Sequence, residues 1–219
     1  GYSVQVIDHL SSITLENDQL LYLLIKKFVG PETLWVGFST TFLNNLQALK
    51  FGIDSRGLRI GRKNQVHSVE DWFVFSPERA RRMIDVIKQA NSKTKIVVGG
   101  AKVRENFLHA DAVFMGYADV ASVEYTRWLE GKNPFFRGRR SDQGQVIVDY
   151  DQKGELFDFQ SSMIEWHESD CIMPGEALPI EVSRGCIFRC KYCSYPLNGK
   201  TKNDYLKHGD VFERELLTN

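Results

Sequence analysis

From Tyr2 to Gly131 the chain alternates short apolar runs with amphipathic stretches, and this alternation restricts the fold more than any other feature. "YSVQVID", Tyr2 to Asp8, sets Val4 and Val6 against Ser3 and Gln5, the period of a strand. From Leu15 to Val29 the residues Leu20, Leu21, Leu23, Leu24 and Phe28 form a helical stripe that Gly30-Pro31 ends. "TLWVGFSTT", Thr33 to Thr41, reads as a buried strand entering a small polar turn, with a helix expected over Leu43 to Phe51. Residues 52–75 are polar, basic and punctuated by glycine, as in a long loop or hairpin excursion. Order resumes in "SPERARRMIDVIKQAN". Ser76 fits the N-cap, Pro77 the first helical position and Glu78 the positive end of the dipole. Ala80, Met83, Ile84 and Ile87 then share one face. "KIVVGG" (Lys95 to Gly100) and "ADAVFMGYA" (Ala110 to Ala118) read as buried strands, and "VASVEYTRWLEG" as a helix closing on Gly131. Strands that alternate with helices in this way predict a doubly wound α/β unit around a parallel sheet.

The pattern changes after that. Residues 132–176 read as a connection with one hairpin, "QVIVDYDQKGELFDF", and residues 177–219 start a second unit with the strand "ALPIEVSRG". The chain has 219 residues, 42% of them hydrophobic, enough to bury a core. Its 28 basic and 28 acidic side chains cancel, which does not describe a general polyanion binder. Arg56, Arg59, Arg62 and Lys63 form a local basic run whose ordinary reading is a solvated loop face, so nucleic acid is not indicated as a partner. No run approaches the continuous apolar length of a membrane span.

Cysteine usage is the most specific chemical signal. Of 4 cysteines, Cys186, Cys190 and Cys193 fall in one short stretch, "RGCIFRCKYC". That is not the framework of a disulfide-stapled secreted domain, and a reducing cytosol is the expected setting. Soft thiolates at a C-x3-C-x2-C spacing suit an iron–sulfur cluster or zinc. A structural zinc site normally takes four protein ligands, which His208, His167 or Cys171 would have to complete. Three ligands suit a cubane cluster with one iron left open.

"RGCIFRCKYC" resembles the signature of the radical S-adenosylmethionine (radical SAM) enzymes, C-x3-C-x-aromatic-C after the first strand of a (β/α) barrel. "PIEVS" would be that strand and "DYLKHGDVFERELLTN" the helix after it. The resemblance implies that Cys186, Cys190 and Cys193 hold a [4Fe–4S] cluster whose open iron binds SAM, with Tyr192 packed near the adenine. Arg184 and Gly185 would shape the start of the loop. It also implies reductive cleavage of SAM to modify an unactivated carbon of an unidentified substrate, with an electron donor for the cluster.

The upstream unit, residues 1–131, resembles the cobalamin-binding domain that precedes the barrel in one class of these enzymes. "GYSVQVID" is similar to its second strand, "VGFSTTFLNN" to the loop after its third, "KIVVGGAKV" to the glycine pair after its fourth, and "DAVFMGYADVASVEYTRWLEG" to its closing strand and helix. This flavodoxin-like comparison implies a corrin lying over the C-terminal strand ends. Gly37, Ser39, Thr40 and Thr41 would surround its nucleotide tail, and Gly99, Gly100 and Gly116 would allow close approach of the backbone. Methyl transfer through cobalamin is then the leading reaction. Two departures stand out: the separation of Ser39 from Gly99 is long for such a domain, and "GYADV" replaces an acidic turn for which Asp119 supplies one acid. The axial-histidine motif D-x-H-x-x-G is absent, and Asp8-His9 do not have its spacing. A complete barrel needs roughly 200 residues or more, so the resemblance implies an enzyme longer at both ends, of which this chain is a fragment. Two alternatives stay open: a radical SAM enzyme whose upstream unit does not bind cobalamin, and a non-enzymatic α/β module with a zinc knuckle. Trp35, Trp72, Trp128 and Trp166 are expected in cores or interfaces, and Cys171 as a lone thiol.

Overall fold

The computed structural model describes residues 2–7, 17–40, 77–100, 103, 109–151, 154–170, 172, 178, 180–184 and 206–219. The expected helix over 43–51, the excursion over 52–75 and Ser76 lie outside them.

Helix α1 spans Asp18–Phe28, and Asn17 caps it by accepting from the amides of Gln19 and Leu20 at 2.9 and 3.3 Å. Strand β1, Trp35–Ser39, follows. Helix α2, Pro77–Ala90, leads to β2, Lys95–Gly99, and then to β3, Ala112–Phe114. Helix α3 covers Asp119–Leu129. The short strands β4, Arg139–Arg140, and β5, Val146–Val148, and helix α4, Gly209–Thr218, complete the order among the described residues. The five strands form one sheet in the order β1-β2-β3-β5-β4. All neighbours are parallel except β4, which runs antiparallel to β5. The chain is therefore a mixed α/β protein with a mostly parallel sheet.

Period-two alternation along β2 divides the core. Ile96 and Val98 face Leu21 and Ile25 of α1 and Ala80, Met83 and Ile87 of α2. Val97 faces the other way, into a layer with Phe114, Ala121 and Tyr125. Both faces are covered, as a parallel sheet requires, because its strands bury apolar side chains on each side. Tyr125 centres the second layer, edge-on to Phe114 at 5.6 Å between ring centroids and 5.4 Å from Phe136. Trp128 stacks on Phe136 at 5.6 Å, and the Trp35 indole N–H donates to Thr126 Oγ1 at 2.9 Å. These two tryptophans belong to the core, as expected.

Three elements differ from the sequence reading. Of the strand expected over Tyr2 to Asp8, only Ile7 takes part in a β-bridge among the described residues, and Val4 stays 72% exposed. The segment is held instead by side-chain bonds: the Gln5 amide donates to the Ser169 carbonyl, and the Val6 N–H donates to Asp170 Oδ1 at 3.1 Å. The hairpin lies over 139–148 rather than 145–159. Its turn closes through Gly144 N–H to Ser141 O at 2.9 Å, with Gly144 at φ +79°. Val146–Val148 is buried on both faces, so it pairs parallel to β3 and extends the main sheet. The expected strand "ALPIEVSRG" is reduced, among the described residues, to one antiparallel bridge between Ser183 and Leu206. No described segment lies beside it as the neighbour a parallel strand needs. No helix among the described residues is long and apolar enough to cross a membrane.

Candidate functional site

Doubly wound sheets present ligands at the carboxyl ends of their strands, where glycine-rich turns leave backbone exposed. Here β1 ends at Ser39, β2 at Gly99 and β3 at Phe114, so their outgoing turns share one edge. Thr40 N–H donates to Gly99 O at 2.7 Å, which joins two of those ends directly. Gly100 and Gly116 stand at φ +101° and +109°, backbone that a residue with Cβ adopts only under strain. The edge continues through β5: Met115 N–H donates to Val148 O at 2.7 Å, and Tyr117 N–H to Asp151 O at 3.0 Å.

The sequence-derived residues divide between this edge and other duties. Ser39, Gly99, Gly100 and Gly116 lie on it. Thr40 does too, but it is only 1% exposed, so its side chain is part of the interior. Gly37 pairs with Val97 inside the strand, and a Cβ there would stand 2.9 Å from Cζ3 of Trp35. Its missing side chain makes room for the indole. Thr41, Cys186, Cys190, Tyr192 and Cys193 lie outside the described residues.

What the described residues do define is the base of the cysteine loop. Ser183 and Leu206 bridge one another, and Lys207 N–H donates to Val182 O at 3.0 Å. The chain from Arg184 to Tyr205, carrying all three clustered cysteines, thus leaves and returns at one place. His208 N–H reaches Gln160 O at 3.1 Å, and the Gln160 side-chain amide donates to Leu206 O at 3.2 Å, which ties the returning strand to the segment after β5. Below it lies a buried ion pair, Lys207 with Glu215 of α4, beside the Phe159 ring. Val211 and Glu215 are the residues that α4 turns inward.

Arg184 links this base to the sheet edge. Its Nη1 donates to Asp119 Oδ2 at 2.7 Å and its Nη2 to Asp119 Oδ1 at 2.9 Å. On its other side Nε and Nη2 donate to Glu181 Oε1 and Oε2, both at 2.8 Å. Three rings enclose the guanidinium: Tyr117, Phe157 and Phe159, with centroids at 5.2, 5.0 and 5.1 Å. The side chain is 11% exposed. Burial works against its charge, but the hydrogen bonds to Glu181 and Asp119 outweigh that and raise its pKa above the ordinary arginine value. Two forked carboxylates and ring faces suit guanidinium geometry, which lysine cannot reproduce. Asp119 opens α3, where its carboxylate also meets the positive end of the helix.

The rings are themselves positioned. Gly154, at φ +67°, passes so close beneath Tyr117 that a Cβ would fall 2.8 Å from its ring. Asp151 accepts the Glu155 N–H on Oδ1 at 2.8 Å, and its buried Oδ2 has no hydrogen-bond partner among the described residues. Sequence reading singled out Arg184 and Asp119 separately but missed Glu181, Tyr117, Phe157 and Phe159 as their neighbours. The one local signal was "LFDF", aromatics at strand-like spacing beyond a sheet strand.

A cavity of about 280 Å³ lies at the opposite edge, lined by Lys95, His109, Asp111, Tyr125, Arg140 and neighbouring residues. Its acid is already engaged: Asp111 accepts from Ile96 N–H at 2.8 Å and from Lys88 and Lys95 at 2.9 and 3.3 Å. It sits at the amino ends of the strands, at the other edge of the sheet from Gly99, Gly100 and Gly116. Among the described residues no group of three or more His, Cys, Asp or Glu side chains is arranged to hold a metal ion. Comparison of the chain with family models, with curated proteins and with solved structures returned no match.

Proposed function

We propose that the chain belongs to a radical SAM enzyme, in which Cys186, Cys190 and Cys193 supply three thiolates to a [4Fe–4S] cluster. The observation that carries this reading is the C-x3-C-x2-C spacing with Tyr192 before the last cysteine. The donor set fits the group: three soft ligands from one loop leave one iron for SAM. Closure of that loop at its base supports the reading, because thiolates on a loop with joined ends start from a fixed origin. When bound, cluster and SAM supply one-electron chemistry that generates a carbon radical for substrate modification. The protein's own residues hold the loop base, and the rings around Arg184 keep water from that support.

For the upstream unit, two readings of the same enzyme differ over cobalamin. Gly100 and Gly116 at the strand ends favour a flat ligand over the sheet, with methyl transfer as its chemistry. The burial of Thr40 and the filling of Gly37's space by Trp35 favour a unit that serves as scaffold or substrate-recognition module. The test is anaerobic reconstitution of the full chain with iron and sulfide, followed by cobalamin titration. About four irons per chain, lost in C186A/C190A/C193A, support the proposal. Stoichiometric zinc with no iron overturns it in favour of a zinc knuckle. Cobalamin absorbance that co-elutes with the chain then separates the two readings of the upstream unit.

A further inference from the structure

We infer that Arg184 is a positioning residue, a strut that fixes the base of the cysteine loop to the C-terminal edge of the sheet. This inference rests on the proposed function for its consequence and on geometry for its substance. Only Gly185 separates Arg184 from Cys186 in the chain. Asp119 belongs to the first turn of α3, immediately after the β3 turn at Gly116. The two forked bonds to Asp119 therefore tie the residue before the first thiolate to the edge of the sheet.

Glu181, on the same short segment as Arg184, accepts two further bonds, from Nε and Nη2. The fork is held by a carboxylate on two of its edges, which restrains the guanidinium from swinging in its plane. Tyr117, Phe157 and Phe159 add a third constraint, their ring centroids standing 5.0–5.2 Å from the guanidinium carbon. Phe159 also lies against Lys207, which follows the returning end of the loop at Leu206. One aromatic ring thus supports both the outgoing and the returning ends. An arginine so enclosed defines a position. A solvent-exposed ion pair would not, because its partners exchange with water.

The consequence is that the cluster's distance and orientation relative to whatever the sheet edge binds would depend on Arg184, although Arg184 ligates nothing itself. Loss of the strut should leave the thiolates able to collect iron, because all three fall within one short stretch of sequence. It should loosen the position of that loop.

The test compares full-chain R184Q, R184K and wild type after reconstitution, with three readouts: iron content, the EPR spectrum of the reduced cluster with and without SAM, and amide exchange. The expected result for R184Q is iron content like wild type, a SAM-induced EPR change weakened at least tenfold in apparent SAM affinity, and at least tenfold faster exchange of the Lys207 amide. The Val97 amide, inside the sheet, should keep its rate. R184K keeps the charge without the fork, so it should move the same way. It also stands in if R184Q does not fold. Wild-type exchange at Lys207 in the variants overturns the strut. Faster exchange with an unaltered SAM response overturns the positioning role. If wild type takes up no iron, the functional reading fails, and the exchange comparison alone then decides the strut.

Discussion

Arg184 and Asp119 meet across the C-terminal edge of the sheet through two parallel hydrogen bonds of 2.7 and 2.9 Å. They are 65 positions apart in the chain, so this pair joins the β3–α3 unit to the segment that opens the cysteine loop. Both groups are largely shielded, so removing the Arg184 guanidinium leaves the Asp119 and Glu181 carboxylates without it, at a typical cost of about 3 kcal/mol, whereas removing Asp119 leaves Arg184 still paired with Glu181.

Removing both partners together should therefore hurt less than the sum of the single losses. A double-mutant cycle on R184Q and D119N, read by urea unfolding, should give a coupling energy of about 2 kcal/mol. Additive losses would mean that the fork contributes nothing to stability.

Gly154 should not tolerate a side chain. Gly154→Ala meets the Tyr117 ring at 2.8 Å and places alanine at φ +67°, so a loss of about 1–3 kcal/mol is expected. Combining it with Y117A should recover the steric part and leave the backbone part. Wild-type thermal stability in the single variant would contradict the packing described.

Asp111 governs the acid response of the opposite edge. Burial alone would raise its carboxyl pKa, but the Ile96 N–H and the Lys88 and Lys95 ammonium groups outweigh that and hold it below the ordinary value. A depressed carboxylate stabilises the fold at neutral pH, and that contribution is lost as pH falls through the folded-state pKa. D111N should be about 1–2 kcal/mol less stable than wild type at pH 7. The difference should shrink below about pH 4. A gap that stays constant as the solution is acidified would show that the charge is not what matters.

Gly37 offers a choice between packing and ligand contact. Because a Cβ would press on the Trp35 ring at 2.9 Å, G37A should lower stability by about 1 kcal/mol and quench or shift the Trp35 fluorescence. If cobalamin binds, its affinity in G37A should match wild type. Unchanged stability with weakened binding would assign Gly37 to the ligand instead.

Elements whose pattern is local were legible in the sequence. The face of α2 formed by Ala80, Met83 and Ile87 is buried as its spacing predicts, and β2 alternates Ile96 and Val98 against Val97 between the two core layers. The hairpin was misplaced because Gln152-Lys153-Gly154 has the composition of a turn, whereas the glycine of the actual turn is Gly144. Val146–Val148 is an unbroken apolar run, the mark of a strand buried on both faces rather than of one arm of an exposed hairpin. Tyr2 to Val6 alternates like a strand, yet only a sheet neighbour would make it one, and Gln5 and Val6 found other partners. For the candidate site, sequence supplied the cysteines and the chemistry they suit. It did not reveal the enclosure of Arg184, because Asp119, Tyr117, Phe157 and Phe159 are brought together by chain paths that no local period encodes.

Cys186, Cys190 and Cys193 are proposed to hold a cluster with one iron open to SAM. The most direct measurement is the EPR spectrum of the anaerobically reconstituted, reduced full chain, recorded with and without SAM. The expected result is a [4Fe–4S]⁺ signal that changes on adding SAM and is absent from C186A/C190A/C193A. A chain that binds zinc in place of iron, or a cluster signal indifferent to SAM, would contradict it.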